Sequence, residues 1–189
     1  MGKKEQARSY LAQGVVESLL NDNNVQNTTL FYKNPITKRK ELNEKILDLF
    51  LRIHSQHQKN EKLLVLLREL NNQGYQLPDL LCLNPETAEP FFHEVKTHNR
   101  KLKLSDLNKK QKEAIEILGK NGYVVHITNV RFEIELNENK EVLDYSNKEE
   151  GRALSEEVPK NHKVKVKIKE NSIKETHFPN VFIEEIEVY

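Results

Sequence analysis

The sequence has little of several residue types, and each scarcity excludes a class of protein. Of its 189 residues, only Cys82 is a cysteine, and there is no tryptophan. A single cysteine excludes a disulfide framework and a zinc site built from cysteines. No apolar run approaches the roughly 18 residues that a membrane helix needs, and the polar first residues lack the apolar segment of a signal peptide. We therefore expect a soluble, cytoplasmic protein with no membrane partner.

Charge is abundant but unevenly distributed along the chain. Charged residues make up 31% of the sequence, and the formal net charge is only +1. Residues 96–120 carry eight basic and three acidic side chains, and residues 1–40 carry seven and three. The remaining segments, residues 41–95 and 121–189, are net acidic. The overall charge does not indicate a nucleic-acid partner, but the two basic segments could attract phosphate.

The hydrophobic pattern predicts one α/β domain with a mixed sheet flanked by helices. Apolar residues at helical spacing predict helices at residues 5–20, 37–58, 60–72 and 106–119. Alternating or short apolar runs predict strands at residues 28–32, 79–83, 90–96, 123–128, 130–136 and 181–189. Ser105 is the expected N-cap of the fourth helix. The short connection 84–90 predicts that the strands on either side of it form an antiparallel hairpin.

The C-terminal third combines strand patterns with a long polar connection at residues 137–162. Beyond it, residues 163–169 alternate lysines with valine and isoleucine, which places the lysines on one face of a strand. This stripe could follow a nucleic-acid backbone, or it could protect an edge strand from aggregation. The pattern leaves both interpretations open.

One segment carries side chains with a clear chemical use. Asp79 opens a strand, and Glu94 and Lys96 lie two residues apart on the next strand, so their side chains point to the same face. If the two strands pair, two carboxylates and an amine converge at one end of the sheet. Two carboxylates and the carbonyl of Val95 form a hard oxygen site suited to Mg²⁺. Such a cation activates water beside a scissile phosphate, and Lys96 can orient the nucleophile or stabilise developing charge.

At these residues the sequence resembles the PD-(D/E)XK nuclease superfamily, most closely its VRR-NUC and Holliday-junction-resolvase-like branch. Pro78-Asp79 matches the PD, the segment 94–96 matches the ExK, and 14 residues separate Asp79 from Glu94. A helix that contains Gln111 follows, and then an apolar strand at residues 122–127. The resemblance covers about residues 77–128.

The resemblance implies a restriction-endonuclease-like fold, a divalent metal, Mg²⁺ or in its place Mn²⁺, and hydrolysis of a nucleic-acid phosphodiester. Asp79 and Glu94 would be metal ligands. These nucleases usually carry another carboxylate on the first helix, which is Glu17 here, with Glu61 as its rival. If Glu17 is the ligand, residues 36–73 are a helical insertion in a core that spans residues 1–129. Residues 130–189 would then form a β-rich extension packed on the core.

The basic residues after the motif are expected to contact nucleic acid. Lys101, Lys103 and Lys109 would bind phosphates without reading sequence, or they form an ordinary solvated surface. His98 could face the site, and Gln111 either contacts the site or is solvated. The expected partner is double-stranded or branched DNA, and a homodimer is expected because two strands require two sites.

Ordinary structural roles would explain parts of the same pattern. Asp79 could be a turn residue after Pro78, and Glu94 and Lys96 could lie on an exposed strand face. The complete pattern predicts a metal-dependent endonuclease that cleaves DNA, either of the restriction type or selective for branched structures. The alternatives are a catalytically silent nucleic-acid- or protein-binding module on the same fold, and an unrelated interaction protein.

Overall fold

The structure, a computed structural model, describes residues 3–33, 40–54, 60–98, 100–132 and 174–188. The helices are α1 (Lys3–Asp22), α2 (Glu44–His54), α3 (Asn60–Asn72) and α4 (Lys109–Lys120). The strands are β1 (Gln26–Thr29), β2 (Phe31–Lys33), β3 (Lys40–Leu42), β4 (Leu80–Leu83), β5 (Pro90–Lys96), β6 (Val124–Phe132), β7 (Lys174–Glu175) and β8 (Val181–Val188). The expected lysine strand at 163–169 and the connection 137–162 lie outside the described residues. No helix in the described ranges combines the length and apolarity that a membrane span requires.

A mixed sheet of six strands in the order β1-β4-β5-β6-β8-β7 forms the centre of the described structure. Strands β4 and β5 form the predicted antiparallel hairpin, and β6 and β8 run parallel to β5. A parallel neighbour requires a crossover connection, and α4 supplies the one between β5 and β6. The arrangement confirms the predicted mixed α/β class and is consistent with the restriction-endonuclease-like fold.

The two faces of the sheet pack against different helices, because strand side chains alternate between faces. On one face, Cys82 of β4 and Val95 of β5 pack with Val16 of α1. On the other face, the core includes Phe92 of β5 and Ile115 of α4, together with leucines of α2 and α3. Helices therefore cover both faces of the sheet. A polar side chain on β4 or β5 is buried unless it lies at the end of its strand.

The first predicted strand differs from the expectation. Residues 28–32 are not one strand, because the chain bends at the fully buried Leu30 and continues as β2, which pairs with β3 in a separate two-stranded sheet. Residues 40–42, expected as part of a helix, form β3, and α2 begins only at Glu44. The reason is tertiary: Phe31 and Leu42 pair across the two strands and pack on the core, and this contact overrides the local helical spacing.

The start of α4 also corrects a prediction. Its N-cap is Asn108, whereas Ser105 lies in a short 3₁₀-helix, Leu104–Asp106. The Asn108 side chain accepts a hydrogen bond from the backbone N–H of Gln111 at 3.0 Å, and Gln111 Oε1 accepts one from the backbone N–H of Asn108 at 3.2 Å. Serine and asparagine are about equally good caps. The glutamine three residues after Asn108, which completes a capping box, decides between them.

The strands predicted at 123–128 and 130–136 form one continuous strand as far as the structure describes them. Asn129, which lies between the two predicted strands, is fully buried within β6. Its Oδ1 accepts a hydrogen bond from the backbone N–H of His98, and its Nδ2 donates to the Arg100 carbonyl and to Glu185. These partners satisfy the amide, so the strand does not need to end there.

The end of the chain joins the sheet that carries the motif. Strand β8 pairs with β6 over eight residue pairs, and β6 itself runs through residue 129, where the sequence was divided into core and extension. The segment between β1 and β4 contains the β2–β3 hairpin as well as α2 and α3. The division into a core and an extension stays a prediction.

A substitution at Gly119 would test the packing of α4 against the turn before β8. A Cβ atom at Gly119 would overlap the carbonyl oxygen of Pro179. Although alanine favours a helix by about 1 kcal/mol over glycine, we expect Gly119→Ala to lower the free energy of unfolding by about 2 kcal/mol because of this overlap.

The matched control is Gly14→Ala in α1, where a Cβ would meet no atom within 4 Å. This variant should gain up to about 1 kcal/mol. Urea unfolding of both variants measures the difference. Equal stabilities for the two variants would contradict the close packing at Gly119.

Candidate active site

The β4–β5 hairpin brings Asp79 and Glu94 together at one end of the sheet. Asp79 immediately precedes β4, and its Oδ2 accepts a hydrogen bond from the backbone N–H of Val95 at 3.0 Å. The backbone N–H of Asp79 donates to the carbonyl of His93, also at 3.0 Å. These two bonds fix Asp79 against the backbone on both sides of Glu94. Asp79 is thus part of the hairpin pairing and not a free turn residue.

Glu94 lies at the centre of a small polar cluster with Lys96 and Gln111. Its side chain is buried, with 3% of its surface exposed, and Lys96 is 19% exposed. Glu94 Oε1 accepts from Lys96 Nζ at 2.6 Å and from Gln111 Nε2 at 2.8 Å. Glu94 and Lys96 meet because residues two apart on a strand share a face. The pair is therefore not an exposed strand surface.

Gln111 connects the start of α4 to the buried carboxyl group. Its Oε1 accepts hydrogen bonds from the backbone N–H and from Nδ2 of Asn108, while its Nε2 donates to Glu94. Both ends of the amide are engaged, so its orientation is determined by the hydrogen bonds. The sequence left open whether Gln111 contacts the site, and the structure places it in direct contact with Glu94.

The two carboxyl groups share an unusual electrostatic environment. Burial, together with the nearby Asp79, raises the pKa of Glu94 to about 8, although Lys96 and Lys40 lower it. Burial also raises the pKa of Asp79, against the Val95 N–H, Lys96 and Lys40. Without a bound cation, the pair therefore retains a proton near neutral pH. A bound cation would displace this proton.

The remaining carboxylate oxygens suit a hard cation. Asp79 Oδ1 and Glu94 Oε2 accept no hydrogen bond from the described residues. Proteins commonly hold Mg²⁺ with one or two carboxylates and leave its other positions to water and to substrate phosphate. In the part of the chain that the structure describes, no group of three or more His, Cys, Asp or Glu residues could hold a metal ion. Asp79 and Glu94 could therefore supply two ligands to a cation such as Mg²⁺, not a closed cage.

Neither candidate for the helix carboxylate contacts this pair. Glu17 accepts a hydrogen bond from Gln13 at 2.8 Å. Burial raises the pKa of the Cys82 thiol, and the charge of Glu17 adds to this shift. Glu17 thus lies near the sheet face that carries Cys82, whereas the Glu94 side chain points to the opposite face. Glu61 is exposed in the first turn of α3.

The loop after Lys96 carries the expected phosphate-binding residues. Lys101 and Lys103 are exposed in it, and Lys109 is exposed at the start of α4. The backbone at His98 is held by Asn129. His98 itself is half-buried, and the described contacts do not bring its ring to Asp79 or Glu94.

Two residues that the sequence analysis did not single out hold this loop in place. Asn129 is the partner of Lys96 in the parallel β5–β6 register. Glu185 of β8 accepts from the backbone N–H of Leu102 at 2.8 Å and from Asn129 Nδ2 at 2.9 Å. The signal in the sequence was a polar residue, Asn129, within an apolar strand pattern.

The sequence analysis also missed Lys40 of β3, because its segment was expected to be helical. The charge of Lys40 lowers the pKa of both carboxyl groups.

Fold and site together define the class of protein. A Pro-Asp before one strand and a Glu-x-Lys on its hairpin partner, in a mixed sheet between helices, are the arrangement of PD-(D/E)XK nucleases. The family model of the VRR-NUC domain matches residues 11–132 of this chain. The chain therefore belongs to the VRR-NUC family, which is part of the PD-(D/E)XK nuclease superfamily.

The family match confirms the resemblance seen in the sequence, and it supports a nuclease-type hydrolase that acts on nucleic acid. Comparisons with curated proteins and with solved structures gave no match.

The bond between Gln111 and Glu94 can be tested by a double-mutant cycle. We expect Gln111→Ala and Glu94→Ala to show a coupling energy of about 1 kcal/mol in urea unfolding. Asn108→Ala, which removes the cap but leaves the Glu94 contact, is the comparison and should couple less strongly to Glu94→Ala. Zero coupling between positions 111 and 94 would show that the bond is not formed in solution.

The raised pKa of Glu94 predicts that the metal-free protein loses stability as the pH rises towards 8. An acid whose pKa is raised on folding stabilises the fold fully below its unfolded pKa of 4.5, and this contribution is lost as the pH rises through the folded value of about 8. The slope for one proton is at most about 1.4 kcal/mol per pH unit. Burial lowers the pKa of His93 to about 4 from its ordinary 6.5, so His93 opposes this slope by about half a proton at pH 6.5 and by less as the pH rises.

Urea unfolding in EDTA between pH 6.5 and 8 measures this slope. Glu94→Gln should flatten it, whereas Glu86→Gln, in the exposed turn between β4 and β5, should leave it unchanged. A slope that persists in Glu94→Gln would assign the proton to another group.

Proposed function

We propose that this protein is a metal-dependent endonuclease that hydrolyses phosphodiester bonds of DNA. The observation that carries the proposal is the convergence of the buried Asp79–Glu94 pair with Lys96 at one end of the sheet. Family membership supports a nuclease, and the donor set of this chain supports a divalent cation. Asp79, Glu94 and the carbonyl of Val95 would hold Mg²⁺, with Mn²⁺ as a substitute.

The chain's own groups supply the rest of the chemistry. A divalent cation bound there would lower the pKa of a coordinated water and neutralise charge on the scissile phosphate. Glu94 Oε1 holds the ammonium group of Lys96 at 2.6 Å. The Lys96 ammonium is thereby positioned to orient the attacking water or to stabilise negative charge on the phosphate. Gln111 fixes the same carboxylate from α4, so that the site is preorganised before substrate binds.

The surface beside Lys96 favours a nucleic-acid backbone as the ligand. Lys101 and Lys103 lie on the loop that Asn129 and Glu185 hold against the sheet. The first turn of α4 contains no acidic residue and carries lysines at 109, 110 and 112. Cations at a helix N-terminus oppose the helix dipole, and a bound phosphate would relieve this unfavourable arrangement.

The proposed substrate is double-stranded or branched DNA. Cleavage of both strands requires two active sites, which a homodimer would provide. A protein of restriction type would cut linear duplex, whereas a structure-selective enzyme would prefer a junction.

The test is cleavage of supercoiled plasmid, linear duplex, single-stranded DNA and a four-way junction, each in Mg²⁺, Mn²⁺ or EDTA. We expect cutting that requires the metal. Asp79→Asn, Glu94→Gln and Lys96→Ala should each reduce the rate by about 100-fold or more, because each removes a group from the reacting centre.

The control variant is Glu86→Gln, which changes an exposed carboxylate on the same hairpin and should cut at the wild-type rate. Cutting that survives Asp79→Asn and Lys96→Ala would contradict the assigned site. Metal-independent binding of DNA with no cutting of any substrate would instead support the catalytically silent module.

A further inference from the structure

We propose that the β2–β3 hairpin is a second phosphate-binding element, in which Lys33 and Lys40 together hold a DNA backbone phosphate beside the Asp79–Glu94 pair. This inference rests on the proposed function, since it assumes that DNA enters the site. It assigns a role to the segment inserted between β1 and β4, which the nuclease motif does not explain.

The hairpin has two different faces. In its register, Phe31 pairs with Leu42, and Lys33 pairs with Lys40. Residues two apart on a strand share a face, so both lysines lie on the same face of the hairpin as Phe31 and Leu42. That apolar pair packs on the core layer that contains Phe92 of β5. The lysines therefore extend the inward face of the hairpin.

The base of the hairpin is tied directly to the active-site strand. The backbone N–H of Leu30 donates to the carbonyl of Asp79 at 3.1 Å, and the backbone N–H of Asn43 donates to the carbonyl of Leu30 at 2.9 Å. Lys40 is two residues from Leu42 on β3, which is about 7 Å along a strand. A long lysine side chain covers much of such a distance.

Lys40 is also close enough for its charge to act on both carboxyl groups of the pair. Both Lys33 and Lys40 are exposed, and neither forms an ion pair with the described residues. Lys40 is thus a second cationic side chain, besides Lys96, that is available to the same site.

The direct pairing of two lysines is itself unfavourable. Like charges opposite each other on paired strands destabilise the pair, and an anion bound between them would remove this repulsion. Lysines that only protect an edge strand would not need to share a face with Phe31 and Leu42 or to lie near the Asp79–Glu94 pair. The pairing of Lys33 with Lys40 therefore favours a phosphate-binding role over protection of an edge strand.

Equilibrium binding of a labelled duplex oligonucleotide and of a four-way junction tests the inference, with Ca²⁺ in place of Mg²⁺ and across a range of salt concentrations. We expect the double variant of Lys33→Ala and Lys40→Ala to bind about tenfold more weakly. It should also reduce the slope of log K against log salt by about 1, as for the loss of one phosphate contact. Lys62→Ala, an exposed lysine on α3, is the matched control and should bind like the wild type.

Thermal unfolding of the double variant provides a second readout. Removing the repulsion should leave the melting temperature unchanged or raise it, so that weaker binding cannot be attributed to misfolding. If the wild type binds DNA and the double variant has the same affinity and salt slope as Lys62→Ala, the inference is wrong and the proposed function is unaffected. If the wild type neither binds nor cuts DNA, the proposed function and this inference both fail.

Discussion

The burial of the Glu94 carboxyl group is the constraint on which the rest of the site depends. An ionised carboxylate removed from water costs several kcal/mol unless charges and hydrogen bonds compensate it. Lys96 and Gln111 both contact one oxygen of Glu94, and the raised pKa lets the group take up a proton when this compensation is incomplete. A site that holds a proton in this way is prepared to exchange it for a cation. Burial of the Glu94 carboxyl group lowers the stability of the fold at high pH. The same burial would favour the binding of a metal ion by Asp79 and Glu94.

The sheet places this carboxyl group and its partners through contacts from distant parts of the chain. The β4–β5 hairpin supplies Asp79, and α4 supplies Gln111 through its capping box. Strand β8 contributes Glu185, which holds the loop after Lys96 through Leu102 and Asn129. Strand β8 therefore contributes to the geometry of the site. It fixes the loop that carries two of the proposed phosphate-binding lysines.

The parts of the structure that local patterns determine could be predicted from the sequence. Alternation and a short turn determine the hairpin that joins Asp79 to Glu94, and the apolar spacing determines α1, α3 and most of α4. The β2–β3 hairpin could not be predicted, because the packing of Phe31 and Leu42 on the core overrides a helical pattern. Nor could the role of Glu185, whose hydrogen bond to Asn129 joins residues 56 apart in the chain. The position of Glu17 near Cys82 depends on how α1 packs on the sheet, which its own sequence does not specify.

Calorimetric titration with Mg²⁺ near neutral pH, repeated in buffers with different ionisation enthalpies, tests most directly whether the buried pair is a cation site. We expect binding accompanied by release of about one proton, with binding lost in Asp79→Asn and the proton release lost in Glu94→Gln. Binding of Mg²⁺ with the same proton release in both variants, or no binding by the folded wild-type protein, would contradict it.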